Sequence, residues 1–529
     1  MNMFARLITL GIFYLAFLAI PVVGPQLLAQ SIEEKLEQID QLTESVRNDW
    51  QVPGLSLAIV KDGEILFSKG YGVRKLGETA PVDADTLFVI ASNSKAFVTA
   101  AISILVAEGK LKWDDRAADY LPELRLFDTL ATQEITIRDL VSHRSGLGTF
   151  SGDLLWYGTT YTPQEILHRV RHLKPVSSFR NQYGYQNLMF IAAGQIVERV
   201  SGQPCAEFVQ QRLLTPLGME RTTTSIRDFK DNVSSPHNES GGTLRVLPHG
   251  NMDNCWGACG LNSSANDLSR WLRLQLARGE FNGQKILDSA QVWQMWQPSI
   301  AMPISEEAAR FNPTRHYSAY GLGWGISNYQ GRRVIGHGGG LDGMISQTAM
   351  MPEENLGIVV LTNSESPVST ILRDSIFDIL LDVAEKKDWN AAYKQRYAER
   401  KSAQENERSK WDADRLPNAP PTLPLEKYCG TYRCPLYGDV TISLENENLV
   451  LRMAPAPDFV ADLTHRHYNC FELKWRPSVT YNYPVGSVNF VIDGLGISEQ
   501  LVIDQPNDDF WFYELDLHRV PATATNDQP

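Results

Sequence analysis

The sequence is short of positive charge and of cysteine, and each shortage excludes a class of protein. Its 49 lysines and arginines stand against 62 acidic residues, which gives a formal net charge of −13. So acidic a chain is not expected to bind nucleic acid or anionic membrane surfaces. Six cysteines are spread over 529 residues, and Cys255 and Cys259 lack the companions that a zinc site needs. No metal or other cofactor is predicted.

Long apolar runs are absent after the first thirty residues, so no membrane span is predicted there. Before that point, Arg6 precedes an apolar run at residues 7–24, LITLGIFYLAFLAIPVVG. We interpret residues 1–30 as a signal peptide, so the protein is expected to be exported and to be periplasmic or extracellular. The cleavage sequence Leu27-Leu28-Ala29 is imperfect because Leu27 is large. An uncleaved membrane anchor is therefore the alternative, and membrane contact is expected only in that case.

Export would place the six cysteines in an oxidising compartment, where they could pair. Their spacing does not define partners. Buried free thiols are the default expectation in so large a core.

A Gly-x-Ser-x-Gly elbow, which carries the nucleophile of α/β-hydrolases, is also missing. The chain contains no internal repeat and no low-complexity tract. Its hydrophobic content of 43% and charged content of 21% are those of an ordinary globular protein. The length favours two or three domains.

The most informative stretch is residues 88–109, FVIASNSKAFVTAAISILVAEG. It places Ser92 and Lys95 at the start of a segment with helical apolar spacing, so their side chains would share one face. A serine hydroxyl becomes a good nucleophile when a neighbouring base takes its proton, and Lys95 could be that base. A helix N-terminus would add backbone N–H groups near developing negative charge. Taken alone, however, such a pair is more often a helix cap beside a solvated lysine.

A second polar pair, Tyr185 and Asn187, opens the helix predicted within residues 180–200. Asn187 could simply cap this helix, or the two residues could project a phenol and an amide into a cleft. Upstream, residues 135–148 predict a short helix. His143 at its end is interpreted as structural rather than catalytic.

A third unusual stretch is His337-Gly338-Gly339-Gly340, on or beside a predicted strand. Glycine costs backbone entropy in such a position. The run therefore indicates that something approaches the backbone closely, although a bulge or a strand end would also explain it.

The patterns over residues 31–387 predict an α+β domain. Residues 31–49 have helical apolar spacing, and Asp62-Gly63 is predicted to turn a hairpin. Strands followed by helices favour an antiparallel sheet flanked by helices over a βαβ array. Successive strands of one sheet are predicted at 320–326, 333–340, 343–351 and 356–362, followed by a helix at 371–387.

The composition changes twice after residue 387. Residues 388–424 are charged and then rich in proline, which predicts a linker that is helical and then extended. Residues 425–522 have the short strand-like runs of a small antiparallel β domain, a barrel or a sandwich. These runs are 439–444, 449–453, 471–475, 488–492, 500–503 and 510–515.

Ser92-x-x-Lys95, Tyr185-x-Asn187 and His337-x-Gly339 stand in one chain order. Together they resemble the serine β-lactamase and penicillin-binding-protein superfamily, as do flanking segments such as ITIRDLVSHRSGL. The resemblance covers roughly residues 40–385. It is greatest to the branch of class C β-lactamases, D-alanyl-D-alanine carboxypeptidases, D-aminopeptidases and esterases. The segment from residue 425 is similar to the lipocalin-like domain often appended to this branch.

The resemblance implies an acyl-enzyme mechanism on a sheet-and-helix domain with a helical lobe. It makes Ser92 the nucleophile and gives Lys95 and Tyr185 a shared role as general base, with the proton acceptor left open. Asn187 would hold a substrate amide or orient Lys95. The backbone N–H groups of Ser92 and Gly340 would form the oxyanion hole.

The third motif departs from the superfamily. Lys-Thr-Gly is common there, whereas this chain has His337-Gly338-Gly339. A histidine is mostly neutral at pH 7, and Gly338 has no hydroxyl, so binding of an anionic substrate tail is weakened. His337, Gly339 and Gly340 are still implied to bind substrate. The expected activity shifts from β-lactams towards esters and D-amino-acid peptides or amides.

The sequence therefore predicts an exported serine hydrolase acting on a small molecule or short peptide. The alternative is a slow penicillin-binding sensor or binding protein on the same fold. Intact Ser92, Lys95 and Tyr185 argue against that alternative. No oligomeric state is predicted.

Overall fold

A computed structural model describes residues 30–521, in which a mixed α/β domain precedes an all-β domain. The predicted signal peptide lies outside these described residues, apart from its last position. Within residues 30–521, no helix combines the length and the apolar character needed to cross a membrane.

The helices lie mainly in the first domain, and the longest of them follows it. They are α1 (Ile32–Asp49), α2 (Ser94–Ala107), α3 (Ala117–Tyr120), α4 (Thr129–Glu134), α5 (Ile137–Leu140), α6 (Pro163–Arg169), α7 (Asn187–Ser201), α8 (Cys205–Val209), α9 (Thr215–Leu217), α10 (Trp256–Cys259), α11 (Ala265–Leu276), α12 (Ser289–Met295), α13 (Glu306–Phe311), α14 (Val368–Leu380) and α15 (Trp389–Ala413).

The first domain contains fourteen strands among the described residues, and eight of them form its main sheet. The fourteen strands are β1 (Gly54–Lys61), β2 (Glu64–Gly72), β3 (Phe88–Val89), β4 (His237–Ser240), β5 (Thr243–Val246), β6 (Asn262–Ser263), β7 (Glu280–Phe281), β8 (Gln284–Lys285), β9 (Ile300–Ala301), β10 (Ser318–Tyr320), β11 (Gly325–Tyr329), β12 (Arg332–Leu341), β13 (Met344–Met351) and β14 (Leu356–Thr362). The main sheet is antiparallel in the order β2-β1-β14-β13-β12-β11-β10-β9.

The hairpin β1–β2 turns where the sequence predicts it. Asp62 and Gly63 have φ values of 52° and 85°, which suit a tight two-residue turn. The single strand predicted at 320–326 is wrong, because a turn divides it into β10 and β11. A Cβ at Gly323 in this turn would lie 2.3 Å from Thr99 Oγ1, so the turn packs tightly against α2.

Helices cover both faces of the sheet, which confirms the predicted α+β class. On one face, α1 and α14 bury Ile39, Val46 and Phe377. On the other face, α11 packs on β1 and β14. The helix predicted at 371–387 instead ends at Leu380, because the chain turns at Asp382, which has a positive φ of 50°.

The predicted linker begins as the helix α15, and a closed eight-stranded antiparallel barrel follows it. The barrel strands are β15 (Gly430–Cys434), β16 (Gly438–Glu445), β17 (Asn448–Met453), β18 (Val460–His467), β19 (Cys470–Trp475), β20 (Gly486–Ile492), β21 (Ser498–Asp504) and β22 (Leu517–Arg519). Consecutive strands pair, and β22 closes the barrel on β15. The prediction of an all-β domain is confirmed.

The strand predicted at 510–515 is wrong. Residues Phe512–Glu514 form a 3₁₀ turn. The apolar side chain of Phe510 packs on Tyr157 of the first domain, with ring centroids 4.3 Å apart. Strands β15, β18 and β22 had not been predicted. All six cysteines are free, which agrees with the default expectation.

Candidate active site

Ser92 lies in a 3₁₀ turn, Ala91–Asn93, that runs directly into α2. The turn is anchored from below, because Asn93 Nδ2 donates to Ser346 Oγ at 2.8 Å and Thr348 Oγ1 donates to Asn93 Oδ1 at 2.6 Å. Ala91 and Asn93 are buried, while Ser92 is partly exposed. The two buried neighbours and these hydrogen bonds hold the turn in place, so the partly exposed Ser92 hydroxyl faces outward.

Lys95 is fully buried, and its ammonium contacts three oxygen atoms. Nζ lies 2.9 Å from Ser92 Oγ, 2.7 Å from Asn187 Oδ1 and 3.1 Å from the Ala258 carbonyl oxygen. Burial lowers the pKa of Lys95 to about 8. A neutral amine has two N–H groups and one lone pair. Asn187 and Ala258 can accept the two N–H groups, which leaves the lone pair for the proton of Ser92.

Tyr185 lies beside this pair, with Lys95 Nζ 4.7 Å from its ring centroid. Burial raises the pKa of Tyr185 well above its ordinary value, and hydrogen bonding to Ser92 offsets this only in part. The phenol is therefore neutral at physiological pH. Behind it, the His143 ring packs 4.3 Å from the Tyr185 ring, and Nδ1 accepts the Gln186 N–H at 2.9 Å. His143 therefore packs against Tyr185 and accepts a backbone hydrogen bond, and its interpretation as a structural residue stays a prediction.

Asn187 is the first residue of α7 and does not cap it, because the N-cap position is Gln186 and no side chain caps the helix. The capping interpretation is therefore wrong. Asn187 Nδ2 donates to Asp153 Oδ2 at 2.6 Å. Burial raises the pKa of the Asp153 carboxyl to about 7. Sequence reasoning missed Asp153, because no motif surrounds it.

The glycine run lies on β12, next to the turn that carries Ser92. A Cβ at Gly339 would lie 2.1 Å from the Ile90 carbonyl oxygen and 2.9 Å from Ser92 N. Gly339 is therefore needed for this close approach, whereas at Gly338 the nearest atom would be 3.5 Å away. Gly340 lines the same cavity as Ser92.

His337 is buried and neutral. Its Nδ1 donates to the Gly338 carbonyl oxygen at 2.6 Å, and its Nε2 accepts from Tyr320 Oη at 2.8 Å. Burial lowers the pKa of His337 to about 3. The residue therefore supplies no positive charge near pH 7, in line with the expectation from the sequence.

A cavity of about 770 Å³ opens above Ser92, and both domains line it. The first domain contributes Ser92, Tyr185, Asn187 and His337. The barrel contributes Tyr481, Asn482, Asp509 and Phe510, and α15 contributes Arg400. The sequence left the role of the second domain open, and the structure places it as one wall of the cavity.

The cavity lining carries more carboxyl groups than cations. Asp342 and Glu365 lie on its first-domain side, and Asp509 on its barrel side. Burial raises the pKa of Asp342 and of Glu365. Among the residues described there, no group of three metal-ligating side chains forms a metal site.

This fold and this arrangement of serine, lysine, tyrosine and asparagine define the class of penicillin-binding proteins and serine β-lactamases. The chain belongs to the Beta-lactamase family, whose model matches residues 39–381. It is thus a member of the β-lactamase-like serine hydrolase superfamily. A second model, described as a domain of unknown function (DUF3471), matches residues 414–519.

One curated relative and two solved structures are similar to this chain. The unguisins hydrolase ungD' of Aspergillus campestris is 31% identical over 424 residues, which are 76% of this chain and 76% of that protein. The octameric penicillin-binding protein homologue from Pyrococcus abyssi has a TM-score of 0.58 at 20% identity, covering 92% of this chain and 100% of that one. A D-stereospecific amidohydrolase from Streptomyces has a TM-score of 0.52 at 22% identity, covering 64% and 98%. These two structures show the shared fold.

Proposed function

We propose that the protein is an exported serine hydrolase that forms an acyl-enzyme on Ser92. Its substrates are esters and D-amino-acid peptides or amides, with β-lactams as poor substrates. The observation that carries this proposal is the 2.9 Å contact between Lys95 Nζ and Ser92 Oγ at the floor of the cavity. Nucleophile and base are within hydrogen-bond reach, as acyl transfer requires.

In the proposed reaction, Ser92 Oγ attacks the substrate carbonyl while its proton passes to the neutral amine of Lys95. The raised pKa of Tyr185 favours Lys95 as the acceptor in this step and leaves the phenol as a proton donor for the leaving group. The N–H groups of Ser92 and Gly340 stabilise the oxyanion. The proton held by Lys95 restores the Tyr185 phenol as the leaving group departs, so both side chains are neutral again. A water molecule then attacks the acyl-enzyme carbonyl and gives its proton to Lys95. The bond between Ser92 Oγ and the acyl carbon breaks, and Lys95 returns the proton to Ser92 as the acid is released.

The charges around the cavity support the proposed substrate class. A neutral His337 and the carboxyl groups of Asp342 and Glu365 offer little attraction to a substrate carboxylate near the third motif. Neutral esters and amides fit this part of the lining better than anionic β-lactams, and the cation Arg400 lies on the α15 side of the cavity. The name of the D-stereospecific amidohydrolase adds support for amide substrates.

The test is intact-protein mass spectrometry after incubation with a fluorophosphonate, followed by a panel of p-nitrophenyl esters, D-amino-acid amides and nitrocefin. An adduct mapped to Ser92 and turnover of esters or amides are expected, with Ser92→Ala as the unlabelled control. An unlabelled protein with no turnover would contradict the proposal and favour a binding or sensor role.

Export is proposed from the leader sequence alone. Expression with the native leader should yield a secreted chain whose N-terminal sequence begins close to Ser31. Recovery of the uncleaved chain in the membrane fraction would instead favour the anchor.

A further inference from the structure

Residues 148–153 form a segment that lies between the barrel and the second motif, Tyr185-x-Asn187. On its inner side the segment is bonded to the residues around Tyr185. Phe150 N donates to the Tyr185 carbonyl oxygen at 2.8 Å, and Tyr185 N donates to Thr149 Oγ1 at 3.1 Å. The position of the segment and that of the second motif are therefore linked.

On its outer side the same segment is held by the barrel. Glu514 Oε1 accepts from Ser151 Oγ at 2.5 Å, and Oε2 accepts the Gly152 N–H at 2.8 Å. The Trp511 ring covers Gly148 so closely that a Cβ there would lie 2.2 Å from it. A single carboxylate from the barrel thus binds the two residues that precede Asp153.

Asp153 ends the segment and determines which way the Asn187 amide points. Asn187 Nδ2 donates a hydrogen bond to Asp153 Oδ2 at 2.6 Å, and Asn187 Oδ1 accepts one from Lys95 Nζ at 2.7 Å. An ionised carboxylate accepts hydrogen bonds but does not donate them, so above its pKa of about 7 Asp153 selects the end of the amide that carries hydrogens. The reversed amide would direct its N–H groups at Lys95 and compete with Ser92 for the lysine lone pair.

We propose that Asp153 is a positioning residue that holds the Asn187 oxygen towards Lys95, and that Glu514 of the barrel fixes the segment carrying Asp153. The inference rests on the proposed function, because it concerns the activation of Ser92. It makes the barrel part of the support for catalysis as well as a wall of the cavity. Asp153 acts through Asn187 and need not contact substrate.

The first experiment is a double-mutant cycle on fluorophosphonate labelling of Ser92, with kinact and KI measured separately. Asp153→Ala and Asn187→Ala should each lower kinact, by about 10²-fold for a displaced catalytic group, with KI nearly unchanged. The double variant should be no slower than Asn187→Ala, since Asp153 acts through that residue. Losses that multiply would overturn the inference.

Two further variants separate positioning from folding. Asp153→Asn keeps an oxygen that can accept from Asn187 Nδ2, so it should restore most of kinact. Asp153→Leu fills the buried site without an acceptor and should remain slow at a melting temperature close to that of the wild type. If the leucine variant is as fast as the wild type, the inference is wrong.

The barrel contribution has its own matched comparison. Glu514→Ala should lower kinact, whereas Glu514→Gln, which can still accept from Gly152, should retain it. The control is Arg169→Ala. Arg169 also joins the two domains, donating to the Pro435 carbonyl oxygen at 3.1 Å, but it does not touch residues 148–153. Equal kinact for Glu514→Ala and Arg169→Ala would overturn the role of Glu514.

The same measurements distinguish failure of the proposed function from failure of the inference about Asp153. A wild-type protein that is not labelled at Ser92 would overturn the proposed function and this inference together. A wild-type protein that is labelled, with independent effects at Asp153 and Asn187, would overturn the inference alone.

Discussion

The two walls of the cavity are built in different ways. The first-domain wall contains aromatic rings too, but at its floor Ser92, Lys95 and Asn187 are joined by hydrogen bonds of 2.7 and 2.9 Å. The barrel wall presents the aromatic rings of Tyr481 and Phe510, together with Asn482 and Asp509. This difference indicates that bond-making chemistry belongs to the first-domain wall, while the barrel wall shapes the space that a substrate occupies. Substitutions on the two walls should therefore change different kinetic quantities.

The largest effect is expected from Ser92→Ala on the first-domain wall. Removal of the nucleophile should lower turnover by at least about 10⁴-fold and abolish the covalent adduct. The measurement is intact mass after fluorophosphonate treatment, with ester hydrolysis rates alongside. An adduct that persists at another residue would contradict this assignment, because the nucleophile would then lie elsewhere.

Lys95→Met should lower acylation of Ser92 by about 10²- to 10⁴-fold, the usual contribution of a general base. In the wild type, acylation should rise with pH through about 8, because Lys95 must lose its proton to act as the base. The methionine variant should lose this step. The titratable groups that face Lys95 are Asp153, Tyr185, Cys255, Cys259, His143 and His337.

A pH–rate profile of labelling, measured for both proteins at equal folded fraction, checks this prediction. A step near pH 8 that survives in Lys95→Met would assign the titration to another group. Asp153, whose pKa burial raises to about 7, would then be the group to test.

Gly339→Ala should be damaging and Gly338→Ala nearly neutral, although both lie in the same glycine run. The first Cβ would collide with the Ile90 carbonyl oxygen and crowd Ser92 N, at 2.1 and 2.9 Å, whereas the second has its nearest atom at 3.5 Å. Displacement of β12 from the Ser92 turn should slow acylation by about 10²-fold. Labelling rates of the two variants, compared at matched melting temperature, decide the point, and equal rates would contradict it.

The smallest effect is expected on the barrel wall. Phe510→Ala should leave labelling by a small fluorophosphonate unchanged but alter the ratio of kcat/KM for bulky and small acyl esters by about 10-fold. The matched control is Val491→Ala, a barrel substitution at a side chain that is 44% exposed. A loss of labelling in Phe510→Ala would show that the two walls do not divide the work as described.

Much of the fold and of the site could be predicted from local sequence patterns. The Asp62-Gly63 hairpin, the helix from Ile32, the α+β class and an all-β second domain follow from spacing and turn residues. Ser92, Lys95, Tyr185 and Asn187 could be named because three short motifs occur in one order. Their assigned roles stay predictions, although the structure brings these side chains together.

The errors and omissions share one physical cause, which is packing between residues that are far apart along the chain. The segment 320–326 looked like one strand because its division depends on how Gly323 packs against α2, far away in sequence. Residues 510–515 looked like a strand because Phe510 is apolar. In the structure this apolar side chain packs on Tyr157 of the first domain and does not belong to a strand.

The sequence alone thus determined the family of folds and predicted the nucleophile and the base candidates, since each motif that carries this information spans only a few residues. Only the tertiary structure shows that Asp153 accepts a hydrogen bond from Asn187, that Gly339 rather than Gly338 must lack a side chain, and that the barrel lines the cavity. These contacts join residues that are distant along the chain. Their formation depends on packing between elements, which no local pattern encodes.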